Sequence, residues 1–154
     1  MKKYFLPASV SLCIGIFMAY FIISQYKSLD KITVSSKAEE VYFIERGIYS
    51  DKENMENNMK DFSNYIYNVE DNMYHTYIGI SNNINNANKI KKVYKNLGYD
   101  LDIKKKVTDN NDFINILSQY DDVLEKTEDE ESIKVICNQV LSNYEEYKDG
   151  KYKN

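Results

Sequence analysis

Arg46 is the only arginine of this 154-residue chain, His75 is its only histidine, and tryptophan is absent. Net charge is −4 and the pI is near 5.1, so the basic stripe that neutralises phosphates is missing. That argues against a nucleic-acid partner. The two cysteines, Cys13 and Cys137, lie far apart in the chain and cannot build a disulfide framework. Cys137 falls among apolar residues at helical spacing and reads as a small buried side chain. No P-loop, G-x-G-x-x-G, H-E-x-x-H, C-x-x-C or EF-hand pattern occurs. His75 could act as a base, but no serine or cysteine nucleophile motif accompanies it. The 24 acidic residues supply carboxylate pairs by chance, without the cleft that glycan cleavage needs. Asp109-Asn110-Asn111-Asp112 reads as a helix N-cap region, not a cation site. The expectation is a non-enzymatic chain that needs no cofactor and no metal.

Tyrosine is what the chain has in excess, with 15 residues. Some must be core, and the rest suggest a surface that is apolar and hydroxyl-bearing at once. At the N-terminus, Lys2 and Lys3 precede an uncharged run from Tyr4 to Ser24. A run of about 20 residues spans a hydrocarbon core, and no small-x-small cleavage site follows it. Residues 1–25 therefore read as an uncleaved transmembrane anchor. Lys2 and Lys3 favour a cytoplasmic N-terminus and an extracytoplasmic C-terminal part. Residues 26–40 read as a polar linker.

Beyond the linker, two stretches match at an offset of 32 residues. Tyr42, Gly47-Ile48 and Asn54 recur as Tyr74, Gly79-Ile80 and Asn86; Asn64 and Tyr67 recur as Asn96 and Tyr99. Two copies are too few for a solenoid and fit the two halves of one sheet. Val41–Ser50 is β-branched and aromatic, as strands prefer. Ser50-Asp51-Lys52-Glu53 is a capping box opening a helix with Met55, Met59 and Phe62 on one face. Tyr65–Val69 reads as a strand, Asp71-Asn72 as a turn and Met73–Ile80 as a strand. Ile84, Ala87, Ile90, Tyr94 and Leu97 form a second helical stripe, closed by Gly98, and Tyr99–Val107 is the last strand. The order is β-α-β-β-α-β over residues 41–107: an α+β, ferredoxin-like plan, a four-stranded antiparallel sheet with its helices on one face. Residues 108–148 read as a C-terminal helical hairpin. Phe113, Ile116, Leu117, Tyr120 and Leu124 stripe its first helix, and Ile133 to Tyr147 stripe its second. A T-x-x-E stands at Thr127–Glu130. Residues 149–154 are a tail.

Strand alternation sorts side chains to two faces. Tyr42, Ile44, Ile48, Tyr74, Thr76, Ile78, Ile66, Leu101 and Ile103 are expected under the helices. Phe43, Glu45, Tyr49, Tyr65, Tyr67, His75 and Tyr77 are expected on the other face, with Asp102 and Lys104. If open, that face is a stacking platform for an extended, flat polymer such as RNA or a polysaccharide. If the C-terminal hairpin covers it, it is second core.

The segment Ile44-Glu45-Arg46-Gly47-Ile48-Tyr49 through Asn54-Met55 resembles the opening motif of SPOR domains, roughly V-Q-V-G-S-F-x-x-x-x-N-A. Tyr74-His75-Thr76-Tyr77-Ile78-Gly79, with Ala87 and Leu97-Gly98-Tyr99, resembles that family's Y-R-V-x-V-G … A … L-x-x-x-G-Y. The likeness covers residues 41–107. It implies binding of peptidoglycan glycan strands stripped of stem peptides, a role in cell division or sporulation, and an envelope location. It makes Phe43, Glu45, Tyr49, Tyr65, Tyr67, His75 and Tyr77 the expected glycan contacts. Three residues depart from the pattern: Glu45 for glutamine, Arg46 for an apolar residue, and Ser81 where phenylalanine is common. The competing expectation is a protein-interaction subunit whose sheet is capped by the hairpin and which docks a division or sporulation protein.

Overall fold

Strand β1 (Glu39–Tyr49) is the inner strand on which the sheet is built. A computed structural model of the protein describes residues 38–148. The elements that follow are α1 (Lys52–Met59), β2 (Ile66–Glu70), β3 (Met73–Ser81), α2 (Ile84–Asn96), β4 (Asp102–Thr108), α3 (Asn111–Lys126) and α4 (Glu130–Lys148). The fold is α+β: one four-stranded sheet in the order β2-β3-β1-β4, every neighbouring pair antiparallel, with four helices. The expected β-α-β-β-α-β order is present, and the hairpin of α3 and α4 follows it. The anchor expected over Tyr4–Ser24 lies outside the described residues. Among the described residues no helix is long and apolar enough to cross a membrane.

The 32-residue repeat is visible in the strand pairing. Tyr42 pairs with Ser81, and the same pair displaced by 32, Tyr74 with Tyr49, is also made. Phe43–Ile80 maps in this way onto His75–Ile48, and Ile44–Gly79 onto Thr76–Gly47. Glu45–Tyr77 maps onto itself. A local two-fold axis therefore passes between Glu45 and Tyr77. Each strand carries one extra, unpaired residue beside the axis, Arg46 in β1 and Ile78 in β3, which are again 32 apart. These are paired bulges, and an extra residue inverts the alternation beyond it.

Local chemistry sets the element ends. Asp51 caps α1 by accepting the Asn54 N–H at 2.8 Å, one residue later than the Ser50 cap expected from the capping box. Asn83 caps α2 and Asn110 caps α3. Asp71 and Asn72 both have positive φ, at 51° and 61°, the geometry of a two-residue type I′ hairpin turn. Gly98, at φ 90°, closes α2. Thr127 does not open α4: its hydroxyl donates to the Val123 carbonyl at 2.6 Å at the end of α3. Asp129 caps α4 instead, accepting from the Ser132 N–H at 2.8 Å.

Helices α1 and α2 pack on β1 and β3 from one side. The hairpin shares the same continuous core, in which Ile44, Met55, Ile90, Leu117 and Leu141 are all fully buried. β2 reaches only as far as the pair Ile66–Tyr77, so Ile78–Ser81 of β3 lack a strand on that side. Helix α4 passes this gap. Cys137 Sγ lies 3.5 Å from where a Gly79 side chain would begin, beside Ile90 of α2. Two turns later the Tyr144 ring meets Phe43 on the opposite face at 5.4 Å. Burial pushes the Cys137 thiol up to about 12, as befits a small core residue.

Candidate functional site

Residues directly opposite in an antiparallel pair project to one face. Phe43, Glu45, His75 and Tyr77 do share the face away from α1 and α2, with Lys104, Lys106 and Asp102 of β4. The centre of that face is covered. Phe43 and Tyr77 are 2% and 1% exposed. Their rings stack edge-to-face at 5.2 Å, and Phe43 packs on Tyr144, which packs on Phe113 of α3. Lys106 Nζ lies 4.9 Å from the centre of the Tyr77 ring and donates to Glu70 at 2.8 Å. Burial pushes the Tyr77 hydroxyl up, against the pull of Lys106.

Glu45, beside the local axis, is 4% exposed. His75 Nδ1 lies 2.8 Å from its Oε1, and Lys104 Nζ lies 3.3 Å from its Oε2. A carboxylate only accepts, so the imidazole nitrogen is the donor. Both oxygens are engaged internally. A glutamine here could not neutralise Lys104, which gives the glutamate a structural reason.

Tyr49, Tyr65 and Tyr67 are not with them. The Arg46 bulge turns Tyr49 to the side of Tyr74 and sends Ile48 to the His75 side. Tyr67 pairs with Thr76 rather than with His75 or Tyr77, and so faces the α1 side. Ile66 instead takes the Tyr77 side. Tyr65 lies by Glu56 of α1 and by Tyr67; burial chiefly raises its hydroxyl pKa. The seven expected contacts thus divide between two faces, four on one and three on the other.

The three displaced tyrosines make a surface of their own with Tyr74. The Tyr67 and Tyr74 rings are 5.8 Å apart, Tyr67 is 39% exposed and Val69 beside it 56%. The Tyr49 hydroxyl folds back over Gly47, where a side chain could not fit without moving it. Tyr49, Tyr65 and Tyr74 are half-buried against the core beside the eight-residue α1. Tyr74 was expected on the helix side, and there it is, half-buried against the core and paired with Tyr49.

Arg46 lies on the same side. Its guanidinium carbon is 5.4 Å from the centre of the Tyr99 ring and 6.0 Å from that of Phe62. Among the described residues the other buried carboxylate, Asp121, ties α3 to the start of α2: it accepts from Ser81, Asn86 and the Asn82 N–H. Ser81, the third departure from the SPOR-like pattern, is fully buried in this contact. Among the described residues no His, Cys, Asp and Glu group is placed to hold a metal ion.

No protein-family model, curated protein or solved structure matches the chain.

Proposed function

We propose that the chain is a non-catalytic, membrane-anchored binding module of the cell envelope, a divergent relative of SPOR domains. In this reading it takes glycan strands of peptidoglycan on Tyr49, Tyr65, Tyr67 and Tyr74. Support for the kinship comes from the strand order and the local two-fold, both of which suit a ferredoxin-like plan. The observation that carries the ligand reading is the ring pair of exposed Tyr67 and half-buried Tyr74 beside the short α1. Sugar faces stack on such rings, at about 1 kcal/mol per well-placed ring beyond burial. Phe43 and Tyr77 have no part in it, because Tyr144 covers them. Glu45 and His75 have none either, because they satisfy each other.

The test is sedimentation with amidase-treated sacculi. Replacing Tyr67 and Tyr74 together by alanine removes two rings and is expected to weaken binding by about 2 kcal/mol, or roughly 30-fold. Equal binding by the double variant sinks the reading.

A second reading is a protein-interaction subunit, and one observation favours it: the hairpin caps the face that the family resemblance assigns to glycan. Val135, 41% exposed on α4, lies on the outward side of that cap. A photo-crosslinker at Val135 that traps one division or sporulation protein, in cells whose chain does not sediment with sacculi, selects this reading.

A further inference from the structure

Arg46 is held by aromatic rings and by nothing else. No hydrogen bond or ion pair to its guanidinium is formed among the described residues. Its Nε is sealed from solvent without a partner, while its terminal nitrogens are not sealed. The chain has an acidic excess, and yet its only guanidinium has no carboxylate. The repeat shows what the position costs. The equivalent bulge residue in β3 is Ile78, 1% exposed and part of the core. A charge stands at a site whose counterpart is apolar and packed, and no acid among the described residues compensates for it. An unpaired polar group with one nitrogen out of water costs free energy. The rings of Tyr99 and Phe62 flank the guanidinium, and its two terminal nitrogens keep contact with solvent.

We propose that Arg46 is an anion-recognition residue whose ligand is the carboxylate of a sugar acid. The planar fork matches a carboxylate with two parallel N–H···O bonds. Tyr99 and Phe62 exclude water around it and strengthen the contact. Arg46 lies on the face that carries Tyr49, Tyr67 and Tyr74, and the Tyr49 hydroxyl covers the neighbouring Gly47. A sugar stacked on the tyrosines would thus lie next to the fork. In peptidoglycan the sugar's own carboxylate is the lactyl group of N-acetylmuramic acid, free where no peptide is attached. The choice of that sugar rests on the glycan reading above; the carboxylate chemistry belongs to Arg46.

A single arginine gives a single Nε–H resonance, and its sealed position slows exchange with water. The full chain in detergent micelles is titrated with N-acetylmuramic acid and, separately, with neutral N-acetylglucosamine. The muramic acid is expected to move the Arg46 Nε–H signal saturably, and the neutral sugar to leave it in place. Arg46→Lys keeps the charge without the fork and is expected to weaken muramic acid binding by about tenfold; Arg46→Gln is expected to abolish it. An Nε–H signal that muramic acid leaves unmoved overturns the proposal, as does undiminished binding by a folded Arg46→Gln. If sacculi bind wild type and Arg46→Gln equally but not the Tyr67/Tyr74 variant, Arg46 recognition falls and the glycan reading stands. If muramic acid moves the signal and sacculi are not bound, the carboxylate site stands and the glycan reading falls.

Discussion

At the scale of single residues, a buried carboxylate is satisfied by three donors around the start of α2. That carboxylate is Asp121. Its Oδ1 accepts from Ser81 Oγ at 2.5 Å and Asn86 Nδ2 at 2.8 Å, and its Oδ2 accepts from the Asn82 N–H at 2.8 Å. Burial pushes its carboxyl above the usual range, and these hydrogen bonds pull it only partly back. The folded state therefore holds the proton more tightly than the unfolded chain does. The stability this adds is complete below the ordinary aspartate range and is lost as pH rises through the folded value. In Asp121→Asn an amide N–H faces groups that are themselves donors, at a cost of about 1–3 kcal/mol. Urea unfolding across the acid range is expected to show the variant less stable throughout and without the downward slope of wild type. The gap between the two should narrow as pH rises. An identical slope in the variant would mean that Asp121 is not the titrating group.

At the scale of elements, type and order were legible in the sequence, and facing only in part. Within residues 41–148 every expected strand and helix is present, because β-branched runs, helical stripes and Asn and Asp caps are local signals. The turn at Asp71-Asn72 was legible for the same reason. Facing failed at Arg46, where one unpaired residue inverted the alternation. Nothing in Glu45-Arg46-Gly47 announces a bulge unless the repeat is read as a symmetry, which places another at Ile78. Thus Tyr49 and Ile48 changed sides, and the register of β2 moved Tyr67. The tyrosines of the candidate site were named, but their grouping depended on long-range pairing. The turn itself offers a clean test. Asn72 adopts φ 61°, which glycine occupies without steric cost, and Asp-Gly is a preferred type I′ pair. Asn72→Gly is expected to stabilise the fold by about 0.5 kcal/mol and to raise its melting temperature by roughly 2–4 °C. A lowered melting temperature would show that the Asn72 side chain contributes more than its backbone strain costs.

At the scale of the whole molecule, the local two-fold makes a symmetric sheet, and the hairpin breaks that symmetry. Residues 41–107 read from the sequence as a self-contained domain, but the structure gives them only part of a core that the hairpin completes. α4 closes the edge of β3 that β2 leaves open, with Cys137 against Gly79. Tyr144 and Phe113 cover Phe43. α3 supplies Asp121 to the start of α2. Truncation after Thr108 uncovers Phe43, Tyr77 and Ile80, which are at most 2% exposed in the whole fold. Each large apolar side chain returned to water costs about 1.5–3 kcal/mol, and a domain of this size has about 5–15 kcal/mol in all. Loss of these three, with the Asp121 network, removes most or all of that margin. Residues 38–108 alone are therefore expected to melt without a cooperative transition and to give a collapsed amide spectrum, whereas residues 38–148 unfold in one step. Exposed Phe43 and Tyr77 would also recreate the platform that the family resemblance implies, so the same truncation asks whether the cap is structural or regulatory. A dispersed spectrum and cooperative melting for residues 38–108, with sacculus binding that Phe43→Ala abolishes, would overturn the shared-core account. The hairpin would then be a cover over a conventional glycan face, and the tyrosine surface beside α1 would lose its claim to the ligand.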